Sequence, residues 1–500
     1  MKLSRLLAEL KVKRLKGNLD VEIKGVVCDS RKVKEGYLFV AVRGFREDGH
    51  RFIPEAIRRG AKAIVVEREN LPSISGKVAV VEVPSSRSAL ACLSSCFYGF
   101  PSQKLRVIGV TGTNGKTTTV YMLESILKKA GFRVGKISTI DYDLGEGTNP
   151  SAITTPESQE LQMMLKRMVD KNIDYAVMEV SSHSLVLRRV EKVEFDWAVF
   201  TNLSPEHLDF HRSLDEYLKA KSLLFEGLGK GAKKKGLKAA SINIDDAAGD
   251  YIMRHTHVKV ITYGINKKAT VEGKVLKTGP DGTSFILRSS GREQRINLFL
   301  PGTHNVYNAL AAASVMLEEG IDLASVKKGL EEVRKVPGRL EPVKNERGLK
   351  IFVDYAHTPD GLRNILQTLK RFTKGNLLVV FGCGGDRDIT KRPLMGKIAL
   401  KLANYFILTS DNPRSEDPEK IISQIEKGIR EEGGKRGKNY LVVVDRKEAI
   451  KKALEMMEKE DVLVVAGKGH ERMQIFKDRV EEFSDVEVIR ELLGEDNLIK

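Results

Sequence analysis

Residues 111–117 carry side chains and glycines that are suited to binding phosphate. They follow an apolar run, residues 105–110, and precede a helix-like stretch. Glycines let backbone N–H groups approach phosphate oxygens, and a helix N-terminus adds a favourable dipole. A lysine here reaches the outer phosphates, and the hydroxyl after it ligates Mg²⁺. We therefore predict a nucleoside triphosphate site formed by Thr111, Gly112, Thr113, Asn114, Gly115, Lys116 and Thr117.

The spacing of this segment departs from the common P-loop, G-x-x-x-x-G-K-[ST]. Counting back from Gly115, the first glycine of the pattern falls on Val110, and Gly109 and Gly112 flank that position. An ordinary glycine turn between strand and helix is the alternative. Gly-Lys-Thr at the start of a helix favours the phosphate site.

The pattern of apolar segments predicts an α/β protein of three domains. From residue 105 onward, short apolar strands alternate with amphipathic helices, which indicates parallel sheets with crossover helices. Residues 270–299 alternate instead with glycine turns and predict an antiparallel insertion. We place domains at 1–101, 102–335 and 336–500. The predicted strands after residue 105 are 107–110, 175–180, 197–202, 239–243 and 260–263, then 351–355, 377–382, 405–409, 440–444 and 462–466.

Polar residues at the ends of these strands are candidates for chemistry, because ligands of open α/β sheets bind beyond the carboxyl ends of the strands. Glu179 ends one strand and can hold Mg²⁺, or it can act as a capping acid. His207 follows the next strand and is a candidate second-metal ligand, or a packed histidine. Lys221 lies in a predicted helix, where a lysine is normally a solvated charge.

Composition and charge narrow the class of protein. The chain has 500 residues, 41% hydrophobic and 30% charged, with a net charge of +17. The charge is compatible with nucleic acid or with anionic small molecules. The densest basic run, 230–238, has no interleaved aromatic residues, so we interpret it as a solvated loop. We see no signal peptide and no apolar run long enough for a bilayer, and expect a cytoplasmic protein that binds neither membrane nor nucleic acid.

Ten short motifs follow one another along the chain: TGTNGKTTT, EVSSHSLVLRRV, TNLSPEHLDFH, YLKAKSLLF, PGTHNVYNALAA, GRLE, DYAHTPD, GCGGDRDITKRP, DNPR and AGKGHE. In these motifs and their order the sequence resembles the Mur ligase family, over essentially its whole length and including Asp29-Ser30-Arg31. Within the family it is most similar to the members that add the third residue of the peptidoglycan stem peptide.

The resemblance implies an ATP-dependent amide ligase of peptidoglycan precursor synthesis. In this reaction ATP phosphorylates a carboxylate, an amine attacks the acyl phosphate, and ADP and phosphate are released. The implied architecture is a central P-loop domain, a C-terminal Rossmann-like domain for the amino acid, and a smaller N-terminal α/β domain for a UDP-linked substrate. ATP is a co-substrate, Mg²⁺ is the cofactor, and we expect a monomer.

The resemblance also assigns the ATP and metal residues. Lys116 and Thr117 match the residues that hold the phosphates and a first Mg²⁺, and Glu179 and His207 match those at a second Mg²⁺. Lys221 matches the family's carbamylated lysine (N6-carboxylysine), in which a cation becomes a carboxylate-like anion. The remaining implied ATP contacts are His304, Asn305, Asn308, Arg339 and Asp354.

The implied acceptor is UDP-N-acetylmuramoyl-L-alanyl-D-glutamate, whose D-glutamate γ-carboxylate is extended. Leu187 stands where the family often has glutamine, which puts one acceptor contact in doubt. Without the resemblance, residues 154–156 would be interpreted as a simple turn. The residues implied for the uridine end are Ser30, Phe45, Arg46 and Glu47, and those for the peptide end are Thr154, Thr155, Ser181 and Arg189.

The implied amino acid is meso-diaminopimelate, with L-lysine as the alternative. Diaminopimelate has a distal carboxylate that an arginine can grip bidentately, whereas lysine would present a cation to Arg414. By itself the DNPR segment could also be a turn before a helix. The implied contacts are Arg387, Asp411, Asn412, Pro413, Arg414, Gly467 and Glu471.

Two other functions remain open from the sequence. One is a different ligase of the same superfamily, including folylpolyglutamate synthase, which the DSR and DNPR segments disfavour. The other is a nucleic-acid-dependent ATPase, suggested by the P-loop and the charge. That class needs basic stripes with stacking aromatics, and aromatic residues make up only 6% of this chain.

Overall fold

The structure is a computed structural model that describes residues 1–44, 47–67 and 78–494. Its described strands form three large sheets and one hairpin, and helices follow most of the parallel strands. The predicted α/β fold class is confirmed. No helix within the described ranges is long and apolar enough to cross a membrane.

The N-terminal sheet is mostly parallel, with its first strand added antiparallel at one edge. A buried face of leucine, valine and alanine packs under the helix Ser86–Phe97, which Ser85 caps through Ser88 N. The order of the described strands across this sheet is Arg14–Lys16, Ala79–Glu82, Ala63–Val66, Tyr37–Val40 and Gly25–Val27.

The central sheet carries the P-loop and is parallel in its middle. Antiparallel strands extend it at both ends, and those at residues 271–298 confirm the predicted insertion. Across the sheet the described strands are Arg292–Leu298, Gly282–Ser289, Val271–Gly279, Lys259–Gly264, Ala239–Asn243, Trp197–Phe200, Arg106–Thr111, Tyr175–Glu179, Val134–Ile137, Asp141–Asp143 and Thr148–Pro150.

The C-terminal sheet is parallel apart from one short edge strand, and its strands are nearly continuous runs of buried apolar residues. Such runs are typical of strands covered on both faces. The order of its described strands is Glu341–Pro342, Lys350–Asp354, Val462–Ala466, Leu377–Phe381, Tyr405–Leu408 and Tyr440–Val442, and a separate hairpin pairs Met473–Ile475 with Val480–Glu482.

Helices cover the faces of these sheets, and side-chain caps on several of them fix where they begin. Asp417, for example, caps Pro418–Glu431 through Glu419 N. The described α-helices are Leu3–Leu6, Ile53–Arg58, Ser86–Phe97, Lys116–Lys129, Ser158–Asp170, Ser182–Val186, Leu208–His211, Leu214–Gly227, Gly249–Arg254, Thr303–Glu318, Leu323–Glu332, Pro359–Lys370, Lys391–Leu402, Pro418–Glu431, Arg446–Met456 and Asp485–Leu493.

The basic run 230–238 is not simply a solvated loop, and that interpretation was wrong for part of it. Lys234 and Lys238 are largely buried, and both pair with the fully buried Asp196. Lys233 reaches across to Glu9 of the N-terminal domain at 2.5 Å. Part of the positive charge of this run is therefore consumed by structural ion pairs.

Candidate active site

The segment 111–117 connects the strand Arg106–Thr111 to the helix Lys116–Lys129 and has the backbone of a phosphate loop. Gly112 and Gly115 have φ values of +145° and +86°, which only glycine adopts without strain. Space is also limiting, because a Cβ on Gly112 would lie 1.8 Å from Oγ1 of Thr201. The loop lies at the carboxyl end of a central parallel strand, where ligands of such sheets bind.

Two lysine ammonium groups converge on this loop. Nζ of Lys116 donates to the carbonyl oxygens of Gly112 and Thr113 at 2.9 and 2.8 Å. Nζ of Lys221 donates to the same Gly112 oxygen at 2.8 Å from the helix Leu214–Gly227, and its side chain is buried. Burial and the nearby Lys116 hold the pKa of Lys221 well below its usual value.

Thr117 and Glu179 lie together beside the loop. The Thr117 hydroxyl donates to Oε1 of Glu179 at 2.8 Å. The same carboxylate accepts hydrogen bonds from the backbone N–H of Thr139 at 2.7 Å and from its hydroxyl at 3.0 Å. These hard oxygen ligands suit Mg²⁺. Among the described residues, however, no three His, Cys, Asp or Glu side chains cluster closely enough to hold a metal alone.

His207 lies near Lys221 within a group of aromatic rings. Its φ is +57°, and its ring centroid is 4.7 Å from that of His183 and 6.1 Å from that of Tyr217. Nζ of Lys221 lies 4.1 Å from the centre of the Tyr217 ring. Desolvation lowers the pKa of the half-buried His207 to about 3, which leaves a neutral imidazole.

The C-terminal domain completes this site from the other side. Nη2 of Arg339 donates to the Thr117 hydroxyl at 3.2 Å. Asp354 is buried at the end of its strand and accepts from the N–H groups of Leu340 and Ala356, and burial raises its pKa despite the nearby Arg339. A second link joins Nε2 of His357 to Glu206 at 3.3 Å.

A cavity of about 640 Å³ lies between the central and C-terminal domains and brings together most of the predicted ATP and metal residues. Thr154 and Ser181, predicted for the acceptor, also reach it. The predicted residues that line it are Thr113, Asn114, Gly115, Lys116, Thr117, Thr154, Glu179, Ser181, His207, Lys221, His304, Asn305, Asn308, Arg339 and Asp354.

The residues predicted for the acceptor peptide form a hydrogen-bonded group between the cavity and the N-terminal domain. The hydroxyl oxygens of Thr154 and Thr139 are hydrogen-bonded at 3.1 Å, and the buried Thr155 hydroxyl donates to the carbonyl oxygen of Glu179 at 3.0 Å. Arg189 donates to the carbonyl oxygen of Thr155 at 3.1 Å and pairs with Glu157 at 2.6 Å.

The two described residues predicted for the uridine end, Ser30 and Glu47, lie apart from this cavity, in the N-terminal domain. Ser30 is buried and donates to Glu55 at 2.8 Å, and Glu47 is exposed. Phe45 and Arg46 lie outside the described residues.

The residues predicted for the amino acid surround the carboxyl ends of three C-terminal strands. A Cβ on Gly384 would lie 2.9 Å from Nη1 of Arg414 and 3.8 Å from Cγ of Arg387, so both arginines border the same loop. Asn412 donates to Glu471 at 2.7 Å. Gly467 has φ +113°, and a Cβ there would lie 2.4 Å from Asp411.

Sequence reasoning missed several residues of this site. Thr139 binds both oxygens of Glu179, and Glu206, His357 and Tyr217 line the cavity. Thr139 could have been found from its position just beyond the end of the strand Val134–Ile137, but we did not predict that strand. Although burial opposes it, the His357 hydrogen bond and neighbouring positive charges lower the pKa of Glu206 and keep it anionic.

These features define a nucleotide-binding P-loop protein whose site is completed by a second α/β domain. Three family descriptions match the chain: "Mur ligase family, catalytic domain" at 22–98, "Mur ligase middle domain" at 110–316, and "Mur ligase, glutamate ligase domain" at 338–469. The chain belongs to the Mur ligase family, whose members are ATP-dependent ligases that form amide bonds.

Similar proteins cover nearly the whole chain. A UDP-N-acetylmuramoyl-L-alanyl-D-glutamate--2,6-diaminopimelate ligase of Caldanaerobacter subterraneus subsp. tengcongensis is 48% identical over 96% of this chain and 97% of its own. A protein of the same name from Clostridium tetani is 45% identical over 99% and 100%. A solved structure of an enzyme of that name has 32% identity and a TM-score of 0.67, covering 99% of each chain.

Proposed function

We propose that this chain uses ATP to join meso-diaminopimelate to the D-glutamate γ-carboxylate of UDP-N-acetylmuramoyl-L-alanyl-D-glutamate. The observation that carries the proposal is the cavity in which P-loop residues, Arg339 and Asp354 face predicted acceptor residues such as Thr154 and Ser181. The similar proteins named for this reaction support the same substrates. The products are an elongated muropeptide precursor, ADP and phosphate.

The reaction needs a carboxylate to become an electrophile. We propose that the P-loop and Lys116 orient the triphosphate. The guanidinium of Arg339 would give up its hydrogen bond to the Thr117 hydroxyl and contact the phosphates instead. The γ-phosphoryl group moves to the acceptor carboxylate, and the ADP oxygen keeps the electrons of the broken P–O bond. The amine then attacks the acyl carbon, loses a proton, and expels phosphate. Negative charge concentrates at each step, so cations and fixed donors dominate catalysis.

We propose that Thr117 holds one Mg²⁺ and that Glu179, His207 and carbamylated Lys221 hold a second. Bound Mg²⁺ would neutralise phosphate charge. A lysine ammonium would repel a metal, but the neutral amine adds CO₂, giving a carbamate and releasing one proton, and the lowered pKa of Lys221 makes that neutral form easier to reach. In the carbamylated side chain, the hydrogen bond that Nζ of Lys221 now donates to the carbonyl oxygen of Gly112 would be lost, and the carbamate oxygens would become an anionic ligand for the metal.

Arg387 and Arg414 are proposed to bind the distal carboxylate of diaminopimelate, and Glu471 its distal ammonium. Gly467, Asp411, Asn412 and Pro413 shape this pocket. Ser30 and Glu47, with Phe45 and Arg46 of the same predicted loop, are proposed to bind the uridine end of the acceptor, and Thr155 and Arg189 its peptide end. The proposal includes domains at 1–101, 102–335 and 336–500, a monomer, and a cytoplasmic location where ATP is available.

Amide formation by the purified full chain tests this function. The assay contains the UDP-dipeptide, ATP, Mg²⁺ and either diaminopimelate or L-lysine, and product is identified by mass. Diaminopimelate should support ADP release and a product heavier by one residue. Preferential use of L-lysine would contradict the amino-acid assignment, and no product with either would contradict the function. Nucleic acid added alone should not stimulate ATP hydrolysis.

A further inference from the structure

Lys468 lies at the base of the proposed amino-acid pocket, and its side chain is completely buried. It stands between Gly467 and Gly469, whose φ values are +113° and +55°. A Cβ on Gly469 would lie 2.9 Å from the backbone nitrogen of Tyr355, so the loop passes close to that backbone. The tight loop turns the lysine side chain inward, although long cationic side chains normally extend to solvent.

Three acceptors surround the Lys468 ammonium. Nζ donates to the carbonyl oxygen of Met473 at 2.6 Å, to Oδ1 of Asn412 at 3.1 Å, and to Oε2 of Glu471 at 3.4 Å. An ammonium has three N–H donors, so this set uses all of them. The charge of Glu471 offsets the buried positive charge, which would otherwise be costly to desolvate.

These contacts fix which way the Asn412 amide faces. Its Oδ1 accepts a second hydrogen bond, from the N–H of Ile475 at 3.0 Å, and its Nδ2 donates to Oε2 of Glu471 at 2.7 Å. Two donors on the oxygen side exclude the flipped amide, because a flip would point an NH₂ group at them. One N–H of Nδ2 is left to donate to a substrate oxygen.

The Glu471 carboxylate is fixed in the same way. Its Oε2 accepts from both Lys468 and Asn412, whereas Oε1 accepts no hydrogen bond within the described residues. The occupied oxygen faces the protein, and the other remains to meet a cationic amine. Both side chains are therefore held in one orientation before any amino acid arrives, a form of preorganisation.

We propose that Lys468 is a positioning residue that orients Asn412 and Glu471 to receive the incoming diamino acid. The inference rests on the proposed function of this pocket. Lys468 acts only through its two neighbours, since its own donors are all engaged inside the protein. Replacing it should weaken amino-acid binding and leave the ATP and acceptor sites largely unchanged.

The test uses the full chain with Lys468→Met, which keeps most of the length of the side chain and removes the ammonium. KM is measured separately for diaminopimelate, ATP and the UDP-dipeptide, with the other two substrates saturating. We expect KM for diaminopimelate to rise about 10- to 100-fold, the range for a misplaced binding group, with the other two KM values within about twofold. Lys451→Met, at a half-exposed lysine of the same domain, is the matched control and should behave as wild type.

A merely structural role would give a different result. In that case all three KM values would rise together, or kcat and the melting temperature would fall with no change in KM. Either outcome overturns the proposal. If Lys468→Met does not fold, Lys468→Gln decides, because its NH₂ group keeps two of the three N–H donors and the variant should give a smaller rise in KM that is confined to diaminopimelate. Wild type that cannot ligate diaminopimelate contradicts the proposed function, whereas active wild type with an unchanged KM in the variant contradicts this inference alone.

Discussion

Replacement of Arg414 is the sharpest test of the proposed amino-acid specificity. Its Nη1 donates to the carbonyl oxygen of Gly385 at 2.8 Å, and its own N–H donates to Ile475 O at 3.0 Å. A guanidinium has five N–H donors, so enough remain for a bidentate grip on a carboxylate. The φ of +53° is already strained for a side chain, so Met and Lys, which are not β-branched, are the suitable replacements.

The expected loss follows from the hydrogen bonds that would disappear. Each bond to a charged group contributes about 1.5–3 kcal/mol, so two bonds at the lower bound contribute about 3 kcal/mol. Every 1.4 kcal/mol is about tenfold, so Arg414→Met should lower kcat/KM for diaminopimelate roughly 100-fold. Arg414→Lys keeps the charge without the planar fork and should lose less.

Steady-state assays with diaminopimelate and with L-lysine measure this effect. Residual use of L-lysine should fall much less, since it lacks the distal carboxylate. Arg430→Met is the control, because that side chain is 65% exposed on another face of the domain. A change of less than about twofold in kcat/KM for diaminopimelate, or an equal loss for both amino acids, would refute the reasoning.

Three further predictions concern other parts of the chain. Lys221→Ala should be nearly inactive and partly rescued by small carboxylates, and mass spectrometry at neutral pH should find a labile CO₂ adduct on wild-type Lys221. Glu179→Gln should lower kcat at least about 100-fold, because charge stabilisation is lost, while circular dichroism shows an intact fold. Asp485 contacts the fully buried Arg446 at 2.7 Å, and Asp485→Asn removes this anionic partner. The free energy of unfolding, measured in urea, should fall by about 3–5 kcal/mol, and a loss below about 1 kcal/mol would contradict this.

The sequence predicted the features that local patterns encode. The apolar run before Gly-Lys-Thr located the strand and helix of the phosphate loop, and the strands Ala239–Asn243 and Val462–Ala466 were predicted to the residue. These two strands could be predicted accurately because buried parallel strands are continuous apolar runs bounded by polar residues or glycine. The family motifs supplied the roles predicted for the site residues, which apolar patterns alone do not suggest.

The strand Val134–Ile137 was missed because a charged residue interrupts its pattern. Lys136 is buried there and pairs with Glu124 at 2.9 Å and Asp141 at 3.2 Å. A periodicity analysis treats such a lysine as a surface residue. With the strand missed, the strand-end position of Thr139 was missed as well.

The ion pairs of the basic run were hidden for a related reason. Lys234 and Lys238 are about forty positions from Asp196 along the chain, and only the fold brings them together. Local charge patterns describe neighbours in sequence, not partners across a sheet.

The two edge strands of the central sheet affect how readily separate copies of this protein aggregate. An outermost strand exposes unpaired backbone groups that can recruit another chain. Here one border strand, Thr148–Pro150, is three residues long and ends in proline, which lacks an N–H to donate. The opposite border strand presents Arg292, Glu293 and Arg295 to solvent. Both edge strands are therefore poor templates for intermolecular strand pairing, which favours solubility at high concentration.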